Sequence, residues 1–376
     1  MIYFDNAATT KPCPEAVAAV VKGLENFGNP SSLHGLGLAA EQEREKARAV
    51  IASALGASPE EIVFTSCATE SSNTVIFGAA RSVGKRQKKI VTTSVEHPSV
   101  AACCNKLEEE GFEVVRVRPR EDSSFAVGDI VSAVDDNTCL VTCMLVNNET
   151  GCILPVERAF AAIKKKHPRT ITHCDCVQGF MKLPVSVKKL SADFISLSAH
   201  KIHGPKGIGA LYIRKGVHIP SFILGGGQEK GFRSGTESVP LIMGFGAACE
   251  KLSGSISERY EKVCRLRDRI AEKCSKTEGV FVNSRPDASP YIVSIAVEGL
   301  KSEPLLHFLE MRGIYVSSGS ACSKGKKSSV IAEFRVPESL RDSVLRISFC
   351  EENTEEEIDA LMNAVEEAQK TLAKIK

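Results

Sequence analysis

Apolar positions along this chain fall into two kinds of pattern. After Pro14 they recur every three or four residues, which predicts a helix opened by a proline, and a second helix is expected over residues 38–55, before Gly56. From there, short apolar runs typical of buried strands alternate with amphipathic stretches. The runs cover residues 62–64, 90–92, 114–117, 139–146, 170–174, 194–197 and 209–213. This alternation predicts an α/β fold with a mostly parallel, seven-stranded sheet covered by helices on both faces.

The pattern changes towards the C-terminus. A polar helical stretch is expected over residues 240–276, and Thr354 with Glu357 forms a capping box for a last helix over 354–375. We therefore expect a large domain over residues 15–255 and a smaller α+β domain made of residues 1–14 and 256–376. The further elements predicted in the smaller domain are strands at 291–297, 314–316 and 344–349 and a helix at 305–311.

Composition favours a protein that acts on a small molecule. The 376 residues are 43% apolar and 25% charged, as in ordinary globular proteins. Because 48 basic and 46 acidic residues nearly cancel, no net field would attract nucleic acid or anionic lipid. No apolar run reaches the roughly 18 residues that span a bilayer, and the start of the chain lacks the pattern of an export signal. We expect a cytoplasmic protein whose 14 cysteines form no disulfide framework and bind no metal.

Polar and ionisable residues follow five of the predicted strands. In an open α/β sheet, ligands bind at the carboxyl ends of the strands, so these positions are the first candidates for chemistry. Each one alone is a weak signal, and their joint occurrence is more informative. The five groups are Thr69 with Glu70, Glu96 with His97, Asn147 with Asn148, Asp175 with Gln178, and Ser198 with His200 and Lys201.

Lys201 is a candidate for covalent binding of pyridoxal 5'-phosphate (PLP). It lies between an apolar strand and a glycine-rich turn, where desolvation favours the neutral amine that reacts with a carbonyl group. Asp175 would complement it, since the PLP ring withdraws electrons only while its nitrogen stays protonated. Ala68 and Thr69 open a helix whose unpaired amides favour a phosphate. Taken singly, these residues could equally be a surface lysine and ordinary helix caps.

Seven segments together carry a family resemblance. They are residues 3–10 (YFDNAATT), 28–32 (GNPSS), 96–98 (EHP), 147–151 (NNETG), 198–207 (SAHKIHGPKG), 225–229 with 233–236 (GGGQE and RSGT), and 317–322 (SSGSAC). In residues and in order they resemble the cysteine desulfurases, which are fold-type I PLP enzymes of the class V aminotransferase group. The matching branch is the one that includes NifS and IscS.

The resemblance implies a role for each cofactor-binding candidate. Lys201 would hold PLP covalently and later move the substrate Cα proton, while His97 would stack on the pyridine ring and help in proton transfer. Asp175 would pair with the ring nitrogen, and Gln178 would form a hydrogen bond with the phenolic oxygen. Asn148 would lie beside that oxygen and the substrate carboxylate. The phosphate would be held by Ala68, Thr69, Ser198 and His200, joined by Thr236 from the neighbouring subunit of a homodimer.

The resemblance also implies a substrate and a sulfur acceptor. Arg346 would bind the carboxylate of L-cysteine, a task that suits the guanidinium fork. Cys322 would accept the sulfur as a persulfide, and Lys324, Lys326 and Lys327 would favour its thiolate. The expected enzyme releases L-alanine and passes sulfur to an acceptor protein, for iron–sulfur cluster or thio-cofactor and tRNA biosynthesis.

Two positions depart from the family pattern. The segment after Cys322 is shorter and more basic than usual, which leaves the identity of the acceptor protein open. Cys67 stands where a glycine is usual in the phosphate-binding turn. Three other functions remain open from the sequence: a selenocysteine lyase, a class V aminotransferase, and a non-catalytic scaffold that carries PLP and binds other proteins.

Overall fold

The computed structural model describes residues 1–82, 87–318 and 329–373. Within these ranges the chain forms thirteen strands, and every predicted strand is present with small shifts at its ends. The strands are β1 (Ile2–Tyr3), β2 (Ile62–Thr65), β3 (Lys89–Thr93), β4 (Glu113–Val117), β5 (Thr138–Met144), β6 (Ile171–Asp175), β7 (Phe194–Ser198), β8 (Gly209–Ile213), β9 (Val280–Val282), β10 (Ile292–Val297), β11 (Ile314–Tyr315), β12 (Ser317–Ser318) and β13 (Val344–Ser348).

The same ranges contain twelve α-helices, and their ends follow the expected local signals. Pro14 opens the first, Gly56 ends the second with a φ of 66°, and Thr354 and Glu357 form the predicted capping box of the last. Among the described helices, none is long and apolar enough to cross a membrane. The helices are α1 (Pro14–Glu25), α2 (Gly35–Leu55), α3 (Ala68–Ser82), α4 (Pro98–Glu109), α5 (Val127–Ser132), α6 (Val156–Lys166), α7 (Val187–Leu190), α8 (Val239–Ser253), α9 (Ile256–Lys276), α10 (Ser302–Glu310), α11 (Ser329–Glu333) and α12 (Glu355–Thr371).

The predicted seven-stranded sheet is confirmed. Its strand order is β2-β8-β7-β6-β5-β3-β4, and only β8 runs antiparallel to its neighbours. All seven residues of β5 are buried, as expected of a strand with both faces covered. Because β3, β5, β6 and β7 are parallel, their carboxyl ends lie along one edge, where the polar groups of the sequence are brought together.

A smaller antiparallel sheet lies in the C-terminal part, with the order β12-β13-β10-β9. The strand predicted over residues 314–316 is present as β11, and a further strand that was not predicted, β12, follows it in a different sheet. β11 pairs with β1 at the N-terminus, and β12 pairs with β13. The N-terminal segment therefore contacts the C-terminal part of the chain. The domain boundaries expected from the sequence stay a prediction.

The helical stretch expected over residues 240–276 is confirmed as helical, but it forms two helices, and the first of them is apolar and not polar. The chain breaks at Gly254 and Ser255, between α8 and α9. Glycine and serine are weak helix formers, and the two halves pack against different partners. α8 is apolar and lies against α1 and α2, whereas α9 is amphipathic and lies against α12 and β9.

A buried acid, Glu96, ties together the ends of two strands beside this edge. Its Oε1 accepts hydrogen bonds from Thr93 Oγ1 at 2.6 Å and from the Met144 amide at 3.0 Å. Its Oε2 is buried and has no hydrogen-bond partner among the described residues. Burial raises the pKa of this carboxyl to about 8, so the folded protein keeps it protonated at neutral pH.

Glu96→Gln should therefore make the folded protein less sensitive to alkaline pH. The unfolded chain releases the Glu96 proton near pH 4.5 and the folded chain near pH 8, so this group lowers stability progressively as pH rises between those values. Glutamine keeps an acceptor for Thr93 and Met144 but has no proton to lose. We expect the free energy of unfolding of the variant, relative to wild type, to improve by about 1 kcal/mol or more between pH 5 and pH 8.

Urea denaturation at the two pH values checks this, with exposed Glu110→Gln as the matched control. An equal difference from wild type at pH 5 and pH 8 would contradict the assignment of a raised pKa to Glu96.

Candidate active site

One cavity of about 320 Å³ lies at the carboxyl edge of the large sheet. Every described site residue predicted from the sequence lines it, apart from Thr236. Its walls come from strand ends, the first turn of α3, the N-terminal segment and β13. The lining residues are Ala7, Ala8, Cys67, Ala68, Thr69, His97, Ser99, Met144, Val146, Asn148, Asp175, Val177, Gln178, Ser198, His200, Lys201 and Arg346.

Lys201 ends a short 3-10 turn that directly follows β7. Its Nζ donates hydrogen bonds to the backbone carbonyl oxygens of Ala7, at 2.8 Å, and Ala8, at 2.6 Å. Two carbonyl groups thus fix the amine at the cavity wall. Sequence reasoning did not find these acceptors.

Asp175, which is buried, and His97, which is half-buried, are two ionisable groups in the same cavity. Asp175 is the last residue of β6, and its Oδ1 accepts a hydrogen bond from the Val177 amide at 3.0 Å. Burial raises the pKa of this carboxyl, although the positive charge of Lys201 opposes the rise. Burial likewise lowers the pKa of His97, which favours its neutral imidazole. Its Nδ1 accepts from the Ser99 amide at 3.2 Å, which orients the ring.

The first turn of α3 forms one end of the cavity. Amides in the first turn of a helix have no partner within the helix, and the helix dipole adds positive potential there. Gly209 of β8 passes directly behind this turn, where a Cβ atom would lie 2.8 Å from the Cys67 carbonyl carbon and 3.0 Å from the Ala68 nitrogen. The turn, with Thr69 and Ser198 beside it, makes a concave site suited to an anion.

His200 completes this end of the cavity as a neutral side chain. Burial, together with the positive charge of Lys201, lowers its pKa to about 4. Its Nδ1 lies 3.2 Å from Thr9 Oγ1, so the N-terminal segment also holds this ring. At neutral pH the imidazole can serve as a hydrogen-bond partner without adding charge.

Arg346 lies on β13, at the other end of the cavity, and is buried. Its Nη2 donates to Asp5 Oδ1 at 2.9 Å, and its Nη1 donates to the Asn148 carbonyl oxygen at 3.0 Å. These contacts fix the guanidinium plane. Each Nη atom carries a second N–H, so the group can also bind a carboxylate in the cavity.

Asn147 and Asn148, which the sequence grouped together, have different positions. Asn148 lines the cavity beside Arg346. The side chain of Asn147 is fully buried and stabilises the turn, with its Nδ2 donating to the Val95 carbonyl and its Oδ1 accepting from the Thr150 amide. Asn147 is therefore structural.

Gln178 lines the cavity and contacts Lys182, a residue that the sequence analysis missed. Its Nε2 donates to the Ala7 carbonyl at 2.9 Å, while its Oε1 accepts from Lys182 Nζ at 3.0 Å. Lys182 is buried, and burial together with the positive charge of Lys201 lowers its pKa to about 7. The spacing of four residues after Gln178 is a weak signal for this contact, because most lysines lie on the surface.

Thr236 is the predicted site residue of the described chain that does not line the cavity. Thr236 is exposed, in a loop that Arg233 anchors through a bidentate ion pair with Glu70 at 2.8 and 3.1 Å. Cys322 lies outside the residues that the structure describes. The roles assigned to both stay predictions.

Comparisons with known proteins agree with this fold and site. The model of the family described as "Aminotransferase class-V" matches residues 2–361. The chain is 39% identical to "Cysteine desulfurase IscS" of Methanosarcina thermophila over 370 residues, which cover 97% of this chain and 91% of that protein.

Solved structures give the same picture. A "NIFS-LIKE PROTEIN" matches with a TM-score of 0.93 at 38% identity, covering 99% of this chain and all of the other. "SspA in complex with cysteine" matches with a TM-score of 0.82 at 32% identity, covering 93% and 99% of the two chains. The chain therefore belongs to the aminotransferase class-V family, in its group of NifS-like and IscS-like cysteine desulfurases.

Proposed function

We propose that this chain is a PLP-dependent cysteine desulfurase. The net reaction joins L-cysteine and the Cys322 thiol and yields L-alanine and a persulfide on Cys322, whose sulfur then serves iron–sulfur cluster or thio-cofactor and tRNA biosynthesis. The observation that carries the proposal is the cavity that brings together the Lys201 amine, the buried Asp175 carboxyl and the Arg346 guanidinium. Relatives at 37–39% identity bear the name cysteine desulfurase.

The residues around the cavity fit PLP. Lys201 offers an amine for the aldehyde, Asp175 a carboxyl for the ring nitrogen, and the first turn of α3 a site for the phosphate. Glycine at position 209 lets β8 pass directly behind that turn, because a Cβ atom there would clash with the backbone of Cys67. When bound, PLP supplies an electron sink that weakens the bond between the substrate and its sulfur.

The chain's own groups would then divide the remaining work. Arg346 would bind the carboxylate of L-cysteine, and its contacts with Asp5 and Asn148 would orient the guanidinium before substrate arrives. Lys201 Nζ would take the Cα proton, since an amine that has lost its proton is a base. The neutral His97 ring would lie over the cofactor, held by Ser99.

The thiol that accepts sulfur must be reactive and able to reach the substrate. Most described cysteines are buried, and burial raises the pKa of thiols such as Cys104 and Cys350 to about 12, so they are inert. Among the described cysteines, only Cys67 lines the cavity. Cys322 is favoured as the acceptor because of the SSGSAC motif and the basic residues that follow it.

We also propose a homodimer in which each subunit completes the other's site. Around the end of α1 and the start of α2, large apolar side chains are exposed, among them Phe27 at 80% and Leu33 at 105%. Contiguous exposed apolar groups mark interfaces. Leu33 also borders a cleft lined by Gln228 and Lys230, in the loop that leads to Thr236. A second copy that covers this patch would receive the exposed Thr236 loop.

The proposed activity is tested by supplying purified protein with PLP and L-cysteine. We expect a visible absorption band that changes on addition of cysteine, and equimolar release of alanine and reducible sulfur. Lys201→Ala should lower alanine formation by at least about a thousandfold, because it removes both the covalent attachment and the base. Exposed Lys206→Ala, from the same turn, is the matched control. Protein that binds PLP but forms pyruvate or a transaminated product would instead favour another PLP reaction.

Cys322→Ala should abolish alanine formation while the visible absorption band persists, because the variant can hold cofactor and substrate but has no thiol to accept sulfur. Cys67→Ala tests the rival thiol in the cavity and should retain turnover. Alanine release is measured for both variants. Normal turnover of Cys322→Ala, or loss of turnover only in Cys67→Ala, would remove Cys322 from the reaction.

Hybrid dimers test whether Thr236 acts across the interface. Subunits carrying Lys201→Ala are paired with differently tagged subunits carrying Thr236→Ala, and alanine formation is measured at limiting PLP. If Thr236 reaches the partner's site, each hybrid has one intact site and about half the wild-type activity, while neither parent homodimer matches it. If Thr236 serves its own subunit, no intact site exists and the hybrid shows no gain.

A further inference from the structure

A second buried lysine lies beneath the candidate active site. Lys182 is only 6% exposed and does not line the large cavity. Its Nζ donates to Gln178 Oε1 at 3.0 Å and lies 5.7 Å from the centre of the Tyr291 ring. Lys182 and Lys201 also line one small cavity of about 10 Å³, room for roughly one water molecule. The two amines are thus connected through Gln178 and the carbonyl oxygen of Ala7.

The contacts of Gln178 determine which way its amide faces. The carbonyl oxygen of Ala7 can only accept, and it receives Nε2 at 2.9 Å. The Lys182 amine carries N–H bonds in either protonation state, and its ammonium form can only donate. A flipped amide would place the NH₂ group against the Lys182 amine and the oxygen against the Ala7 carbonyl. The contact between the two oxygens would be unfavourable in either case, and the contact of the NH₂ group with Lys182 would be unfavourable whenever that amine is protonated, so the amide oxygen points to Lys182.

This orientation decides what Gln178 offers to a ligand. With its oxygen occupied by Lys182, the amide has one remaining N–H on Nε2, and the side chain lines the cavity. The Ala7 carbonyl that accepts from Nε2 also accepts from Lys201 Nζ at 2.8 Å. Lys182, Gln178, Ala7 and Lys201 thus form a continuous hydrogen-bonded chain from a buried amine to the reactive one.

We propose that Lys182 is a positioning residue that fixes Gln178 as a hydrogen-bond donor to an acceptor oxygen of the ligand in the cavity. This inference rests on the proposed function, in which the acceptor is the phenolic oxygen of PLP. Burial of the Lys182 amine has a desolvation cost, and an apolar residue at this position could not donate to Gln178. Among the described residues, Gln178 Oε1 is the acceptor at hydrogen-bond distance from Lys182 Nζ.

Lys182→Met tests the role, since methionine fills a similar volume but cannot donate. We expect apoprotein of this variant to bind PLP roughly three- to tenfold more weakly, the range of one hydrogen bond, and its visible absorption maximum to shift. Lys182→Arg should restore both properties, because it keeps a donor. Lys165→Met, on the exposed face of α6, is the matched control.

The decisive comparison repeats Lys182→Met in a Gln178→Ala background. If Lys182 acts through Gln178, the second substitution adds no further loss of PLP affinity and no further spectral shift. Thermal unfolding of each apoprotein identifies a variant that has lost its fold, in which case Lys182→Leu, which also cannot donate a hydrogen bond, replaces methionine.

Three results would count against the inference. Full additivity of the two substitutions would mean that Lys182 acts by another route. If Lys182→Met keeps both the wild-type absorption maximum and the wild-type PLP affinity, the inference is overturned and the proposed function is not affected. Wild-type protein that binds no PLP would overturn the proposed function, and the inference with it.

Discussion

The contact on which the site depends is the pair of hydrogen bonds from Lys201 Nζ to the carbonyl oxygens of Ala7 and Ala8. These carbonyls belong to an N-terminal segment that is held from both sides. The Ala7 amide donates to Ser348 Oγ at 2.8 Å on β13, and the Thr10 amide donates to the His200 carbonyl at 2.9 Å in the turn after β7. The segment thus connects the large sheet to the C-terminal sheet beside the Lys201 amine.

The same segment arranges groups at both ends of the cavity. Asp5 holds Arg346, and Thr9 holds His200. Burial favours the uncharged forms of His97 and His200 and opposes the charge of Asp175, whereas Lys201 lies close enough to influence all three. The site therefore concentrates its charges in a few groups and leaves its imidazoles neutral, which suits a cavity that must hold an anionic cofactor and an amino acid.

Sequence reasoning found most of the site because its signal is local. Parallel strands place their carboxyl ends together, so residues such as Asp175 and Lys201 could be grouped before any coordinates were known. The N-terminal carbonyls could not be found in this way, since a backbone oxygen has no residue signature. Lys182 was missed because burial of a lysine depends on tertiary packing.

The fold was predictable to a similar extent. Strand positions followed from continuous apolar runs, which are strong signals in a covered sheet. The helical pattern alone did not show where α8 ends and α9 begins, because it continues through Gly254, and the different packing partners of the two halves reveal the break. The additional strand β12 likewise was not predicted, because its two residues form a strand only through pairing with β13. The roles of Thr236 and Cys322 rest on motif resemblance and stay predictions.

The central claim is that the amine of residue 201 binds the aldehyde of PLP. Reduction of the PLP-loaded protein with borohydride, followed by proteolysis and mass spectrometry of the peptides, tests this directly. The account predicts a stable phosphopyridoxyl group on Lys201 and not on Lys182 or Lys206. A modification that maps to another lysine, or no modification after loading, would contradict it.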